Sequence, residues 1–200
     1  VYRCKSRLSK DIGAFKAAKI QEKLTNHTIQ VAKEIQKKGF ADIKVAIDGI
    51  GIQAAKKWAL RNKIQKIETQ GAGNLGTKMK RQFLKTHSGK TISHKKNRNP
   101  ILLIGTDLPS ISHFDLIEAI QLLTHKEMVL GPSTDGGYYL IGMNYLDTQI
   151  FENKNWGQES VLNDTIRDIH DKTNIHLLDK KTDIDTYDDL CQFPDLKIKL

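Results

Sequence analysis

Two hundred residues suffice for one domain with a real core, without metal or disulfide staples. Hydrophobic residues make up 38% and charged residues 28%, which excludes wholesale disorder, and no apolar run nears the ~18 residues of a membrane helix. The net charge of +9 is uneven: residues 1–100 hold 24 Lys/Arg and 6 Asp/Glu, residues 101–200 hold 8 and 17.

The chain starts on the polar stretch VYRCKSRLSKD, with no signal peptide or lipidation motif. An α/β domain ordinarily opens on an apolar strand, so residues 1–200 read as a single domain lacking its first strand. Cys4 and Cys191 lie near opposite ends with no CxxC partner, which gives no disulfide framework or zinc site and agrees with a reducing cytoplasm. From Ile12 to Lys38, apolar residues recur mostly at helical spacing, and Gly39 offers a stop. Ile43–Ile47 reads as a strand, Gln53–Leu60 as a helix and Ile64–Thr69 as a strand. Leu75, Met79 and Phe83 mark a helix ending near His87. Ser88–Asn99 is basic with little apolar content, a surface loop.

Ile101–Ile104 is continuously apolar, as in a strand buried on both faces. Ser112 with Asp115 resembles a capping pair opening a helix through Leu123. Met128–Leu130, Tyr138–Ile141 and Ile175–Leu178 read as strands, Gln158–His170 and Thr186–Cys191 as helices. Strands alternating with helices indicate an α/β domain with a mainly parallel sheet, whose ligands lie beyond the carboxyl ends of the strands.

The charge asymmetry argues against a nucleic-acid partner, since such modules spread positive charge over a whole face. Many of the lysines read equally well as solvated helix faces. An acidic second half could instead gather carboxylates around a divalent cation.

Gly71-Ala-Gly73-Asn-Leu-Gly76 spells GxGxxG between a strand and a helix, where glycines let phosphates approach, so Gly71 and Gly73 are candidate nucleotide contacts. A dinucleotide site of Rossmann type does not follow. The motif lies mid-chain, and the segment about twenty residues on is basic where an acid should hold the ribose. Gly89-Lys90-Thr91 resembles the end of a phosphate loop, but Leu84 stands where its leading glycine should be.

Four segments have the composition of chemical loops. Arg3, Lys5 and Arg7 place cations at alternate positions just before a helix, as suits phosphate oxygens. Asp107, in Gly105-Thr-Asp-Leu-Pro109 after a strand, is a natural Mg²⁺ or Mn²⁺ ligand or else a turn residue. Asp135, beside Gly136 and Gly137, is a possible base, or simply half of an Asp-Gly hairpin turn. Asp183 and Asp185 alternate, so an extended chain points both to one side, though Asp185-Thr186 also suits a helix cap.

The succession KSRL, GAGNLGTKM, LLIGTDLP, VLGPSTDGGYYLIG and DIDTYDDL resembles a bacterial glycosyltransferase-A-like family of the radical-SAM/selenodomain-associated transferase type. That family sits in the nucleotide-diphospho-sugar transferase superfamily. The resemblance runs from about Arg3 to Leu190, with GTDLP and GPSTDGGYYLIG its specific segments; Asn74 stands where the family usually has an acid. It implies a three-layer αβα sandwich with Lys5 and Arg7 on a nucleotide's diphosphate. It implies a divalent metal, Mg²⁺ or Mn²⁺, on Asp107 with Asp183 or Asp185 as second carboxylate. Asp135, Gly136, Gly137 and Tyr138 would shape the acceptor side, with Asp135 deprotonating the acceptor if configuration inverts.

The expected function is therefore metal-assisted transfer of a sugar from a nucleotide-diphosphate donor to a small-molecule acceptor in the cytoplasm. A nucleotidyltransferase using a nucleoside triphosphate, similar to molybdenum-cofactor cytidylyl- and guanylyltransferases, would use the same cations and metal. A non-catalytic, basic nucleic-acid-binding protein is the alternative of another class, and it leaves the carboxylate-bearing turns without a role.

Overall fold

The computed structural model describes residues 4–87, 100–169 and 171–196. The basic segment 88–99, with Gly89-Lys90-Thr91, lies outside the described residues, as does Arg3.

The first helical run begins earlier than its apolar spacing suggests. Gly13, at φ +83°, divides it into α1 (Ser6–Ile12) and α2 (Ala14–Lys37), so Arg7 lies within a helix rather than before one. There follow β1 (Lys44–Ile47), α3 (Ile52–Arg61), β2 (Lys66–Thr69), α4 (Leu75–His87), β3 (Ile101–Ile104) and α5 (His113–Leu122). Ser112 and Asp115 form the expected capping box at the start of α5. The chain continues through β4 (Met128–Pro132), β5 (Tyr138–Met143), α6 (Val161–Asp168), β6 (Ile175–Leu177) and α7 (Tyr187–Cys191).

The expectation of a mainly parallel sheet is corrected. β1 and β2 form a parallel pair, and the other four strands form a mixed sheet in the order β3-β5-β4-β6. Within it β5 runs antiparallel to both β3 and β4, whereas β4 and β6 are parallel. Only residues 133–137 separate β4 from β5, far short of the dozen or so that a parallel crossover needs, so the two must form a hairpin.

Pleating sends alternate residues of the mixed sheet to two cores. Leu102, Ile104 and Val129 meet Val31 and Ile35 of α2 and Leu116 and Ala119 of α5. Ile101, Leu103, Met128, Leu130 and Ile141 meet Met79 and Phe83 of α4 and Leu162 and Ile166 of α6. A third cluster sets the geometry of the site: Leu8, Ala17, Ile20 and Leu24 pack against Ile184 and Leu190. It clamps the α1–α2 corner onto the segment leading into α7, which carries Lys5 and Arg7 to the far end of the sequence.

Candidate active site

Three connecting segments meet beyond the ends of the strands. After β6 the chain continues alongside β4: Leu178 N donates to Leu130 O (2.8 Å) and Lys181 N to Pro132 O (3.1 Å). Thr134 N donates back to Lys181 O (3.0 Å), and Ile184 N donates to Asp107 O (3.0 Å). These bonds lay residues 182–186 between the turn that bears Asp107 and the one that bears Asp135.

The two cations read as phosphate ligands reach this place. Lys5 has left-handed backbone (φ 54°, ψ 53°), and its side chain is 3% exposed. Its Nζ lies 3.1 Å from Asp107 Oδ1 and also donates to the Ile184 carbonyl. Arg7 Nη1 lies 2.9 Å from Asp185 Oδ2. Among the described residues, no such cation pairs directly with Asp183. Burial pushes its carboxyl up to about 6, the nearby Asp135 adds to the rise, and Lys5 only partly opposes it.

Asp135 serves the hairpin as well as the site. Its Oδ1 accepts from Gly137 N (2.9 Å) and from Ser133 Oγ, while Ser133 N donates to Gly137 O (3.0 Å). Arg7, Thr134, Asp135, Thr182, Asp183, Asp185, Thr186, Asp189 and Gln192 line an open cleft of about 360 Å³. Every residue lining it has a polar or charged side chain, which suits a hydroxyl-rich or charged small molecule. Asp107 adjoins it through Asp183, whose ionisation it opposes.

Asp189 is the residue that sequence reasoning missed. Its Oδ2 accepts from Asp185 N (3.1 Å), Thr186 N (2.7 Å) and Thr186 Oγ1 (2.7 Å), and Thr186 Oγ1 accepts from Asp189 N (3.2 Å). This capping box fixes the backbone that presents Asp183 and Asp185. The Thr-x-x-Asp spacing at 186–189 was the available signal.

Other expected site residues stand apart. At Gly71 a Cβ would meet Arg81 Nη1 at 2.7 Å, because the Arg81 guanidinium donates to the carbonyls of Gln70 and Ala72 (2.7 Å for the latter). At Gly73 it would meet Thr77 at 2.8 Å, so side chains of α4 fill this turn. The Tyr138 ring packs edge-on to Trp156 (centroids 6.5 Å) in the core beside α6, where burial pushes its hydroxyl well above the usual tyrosine range. Gly136 packs against the Glu159 backbone. None of these four is among the residues lining the cleft.

Among the described residues, no group of three or more His, Cys, Asp or Glu side chains is placed to hold a metal. Asp107 Oδ1 and the Ile184 carbonyl are oxygen donors of the type a hard divalent cation takes, and both are engaged by the Lys5 ammonium. Mg²⁺ commonly takes one or two carboxylates and completes its shell with water and substrate phosphate. Asp107 and Asp185 are each engaged by a cation, Lys5 and Arg7, whereas Asp183 is paired with none among the described residues.

The fold is a mixed α/β arrangement shared with a protein of Desulfovibrio desulfuricans G20, whose 1.90 Å crystal structure is described as that of a "putative nucleotide-diphospho-sugar transferase". The two superpose with a TM-score of 0.81 at 23% sequence identity, over 94% of this chain and 78% of that one. No curated protein matches the chain. The family model "Uncharacterized protein conserved in bacteria (DUF2064)" matches residues 30–158, and the chain belongs to that family. Asp107 and Asp135 fall inside the matched span; Lys5, Arg7, Asp183 and Asp185 fall outside it. No helix among the described residues is long and apolar enough to cross a membrane.

Proposed function

We propose that the protein is a glycosyltransferase-like enzyme that moves a sugar from a nucleotide-diphosphate donor to a small acceptor in the cytoplasm, on a nucleotide-diphospho-sugar transferase fold of αβα layers. The observation that carries this reading is a cleft lined by Arg7, Asp135, Asp183 and Asp185, with the Lys5–Asp107 ion pair near Asp183. The likeness in fold to the Desulfovibrio protein supports it.

In this reading Lys5 and Arg7 receive the donor's diphosphate, exchanging their carboxylate partners for phosphate oxygens. Asp107 and Asp183 hold Mg²⁺ or Mn²⁺, which would supply charge stabilisation for the departing diphosphate. The acceptor lies in the cleft against Thr134, Thr182 and Gln192, and Asp135 takes its proton if the reaction inverts configuration.

Incubation with UDP- and GDP-sugars, and separately with nucleoside triphosphates, tests the proposal. Slow release of UDP or GDP that acceptors accelerate supports sugar transfer. Pyrophosphate from the triphosphates would identify nucleotidyl transfer instead. Failure of every nucleotide to raise the melting temperature, with or without Mn²⁺, would remove the reading altogether.

A further inference from the structure

We propose that the gap between β1 and β3 is a slot for one more strand, supplied by polypeptide preceding Val1, and that Gln82 is the buried group that hydrogen-bonds to it.

Both flanking strands have an edge that carries no strand among the described residues: β1 pairs only with β2, and β3 only with β5. Gly105 N donates to Tyr139 O (2.9 Å), so by antiparallel alternation the backbone groups of Leu102 and Ile104 point away from β5. Gln70 N donates to Ile47 O (2.9 Å), so those of Lys44 and Ala46 point away from β2. There a side-chain amide, Gln70 Nε2, stands in for a strand at the Ala46 carbonyl (3.1 Å). β3 is apolar throughout, as a strand covered on both faces should be, yet each of its residues is only half-buried, whereas β4 is buried throughout.

Two helices bridge the gap from opposite faces. On α2, Ile29 packs in one cluster with Val45 of β1, while Val31 and Ile35 pack with Leu102 and Ile104 of β3. Thr25 and Ala32, between those rows, are small and half-buried. On α4, Lys78 and Lys85 pair with Asp48 after β1 and with Glu68 of β2 (2.7 and 3.1 Å), while Met79 and Phe83 pack with Ile101 and Leu103 of β3. Gln82 lies between those rows, 6% exposed, and neither its Nε2 nor its Oε1 has a hydrogen-bond partner. A buried amide left unpaired is costly, so its place over the slot marks where a partner belongs.

The walls define the occupant. Covered by α2 and α4, it is an apolar strand of about four to six residues that sets one hydroxyl or amide toward Gln82. Lys5 Nζ lies 3.1 Å from Asp107 Oδ1, just past the end of β3, so the chain at Cys4 stands at the carboxyl end of that strand. A strand leading into Cys4 therefore runs parallel to β3, and it would join the β1–β2 pair and the mixed sheet into one.

Amide hydrogen exchange tests this on the chain extended upstream by its natural residues, beside Val1–Leu200. In the extended chain the amides of Leu102 and Ile104 should exchange about 100-fold more slowly, as amides of β4 do, whatever the protein concentration. Gln82→Leu should lower the melting temperature of the extended chain by about 2–4 °C and raise that of Val1–Leu200, where it removes an orphaned amide. Fast exchange at Leu102 and Ile104 in the extended chain overturns the slot, even where Val1–Leu200 alone does not fold. Protection that appears only on dimerisation would assign the edges to a second copy and overturn it likewise. Melting shifts of the same sign in both chains would overturn the role of Gln82.

Discussion

Arg7 and Asp185, 178 positions apart, meet as an ion pair at 2.9 Å. Their side chains are 63% and 38% exposed, so solvent screens the pair and it contributes little to stability. Its value lies in holding a guanidinium at the edge of the cleft. Arg7→Met should therefore shift the melting temperature by no more than about 2 °C. The same change should weaken UDP or GDP binding about 10- to 100-fold, the worth of a hydrogen bond to a charged group. Calorimetric titration showing equal affinity would remove Arg7 from the donor site.

Asp183 makes stability depend on pH in an unusual direction for a carboxylate. Burial first, and Asp135 next, raise its carboxyl to about 6, so the folded chain keeps a proton that the unfolded chain has already lost. Between about pH 4 and 6 the folded state binds more protons, so this group's contribution to stability falls as pH rises, and above 6 the loss is complete and constant. Asp183→Asn should be more stable than the parent at neutral pH by roughly 1 kcal/mol after allowing for solvent screening, or about 2–4 °C. That gain should vanish near pH 4. Melts in EDTA-containing buffers across this range would refute the assignment if the gain were independent of pH.

Gly136 distinguishes a glycine required by packing from one that opens a ligand site. Its φ is +86°, and a Cβ there would lie 2.1 Å from the Glu159 carbonyl oxygen, which is backbone and cannot swing aside. Gly136→Ala should destabilise by about 3 kcal/mol or more, lowering the melting temperature by roughly 6–12 °C. At Gly137 the nearest atoms are Asp135 Oδ1 (3.2 Å) and Ser133 Oγ (3.3 Å). Gly137→Ala should therefore cost less stability and act mainly on how Asp135 is held. Equal melting temperatures for the two variants would contradict this division.

These contrasts show what the sequence carries. Periodicity located the strands and helices because it records which side faces a core: Leu75, Met79 and Phe83 do lie along one helix, and the last two are buried. Strand direction leaves no such local trace, so alternating strands and helices suggest a mainly parallel sheet, although the Asp135-Gly136 turn also reads as a hairpin. The shortness of residues 133–137 was the clue that β5 turns back. The aspartates were legible one by one, as acids in Gly- or Pro-containing turns after apolar runs. That Lys5 would lie buried against Asp107 was not, because the contact depends on α1 packing against residues near position 190. Gly71 and Gly73 are ambiguous for a similar reason: a glycine turn looks the same in sequence whether a phosphate or the Arg81 guanidinium lies against it.

Asp189 should act on the site without lining up with the reacting groups. It accepts from the backbone of Asp185 and Thr186, and although burial works to raise its carboxyl, the bonds from Thr186 and Asp185 win and hold it below the ordinary range. Asp189→Ala should cost about 1–2 kcal/mol, as for loss of a cap, and Asp189→Asn less, since an amide oxygen still accepts. Freed from that cap, residues 183–186 should exchange amide hydrogens faster in the Ala variant, while amides of β4 and β5 keep their protection. Uniform loss of protection would mean that Asp189 supports the whole fold rather than this segment.

Asp135 offers the sharpest separation of turn from chemistry. Its Oδ1 accepts from Gly137 N and Ser133 Oγ, a role that an asparagine Oδ1 can also fill. Asp135→Asn should therefore fold and melt like the parent, and by removing a negative charge near Asp183 should lower that residue's raised carboxyl toward its usual range. Asp135→Ala removes the acceptor as well and should lose about 1–2 kcal/mol. If Asp135 takes the acceptor's proton, Asp135→Asn should cut transfer about 100- to 10,000-fold while leaving nucleotide affinity nearly unchanged. Full transfer activity in that variant would leave Asp135 with the hairpin alone, and the base would then have to be sought among the other carboxylates of the cleft, Asp183 foremost, because Arg7 engages Asp185 and the cap engages Asp189.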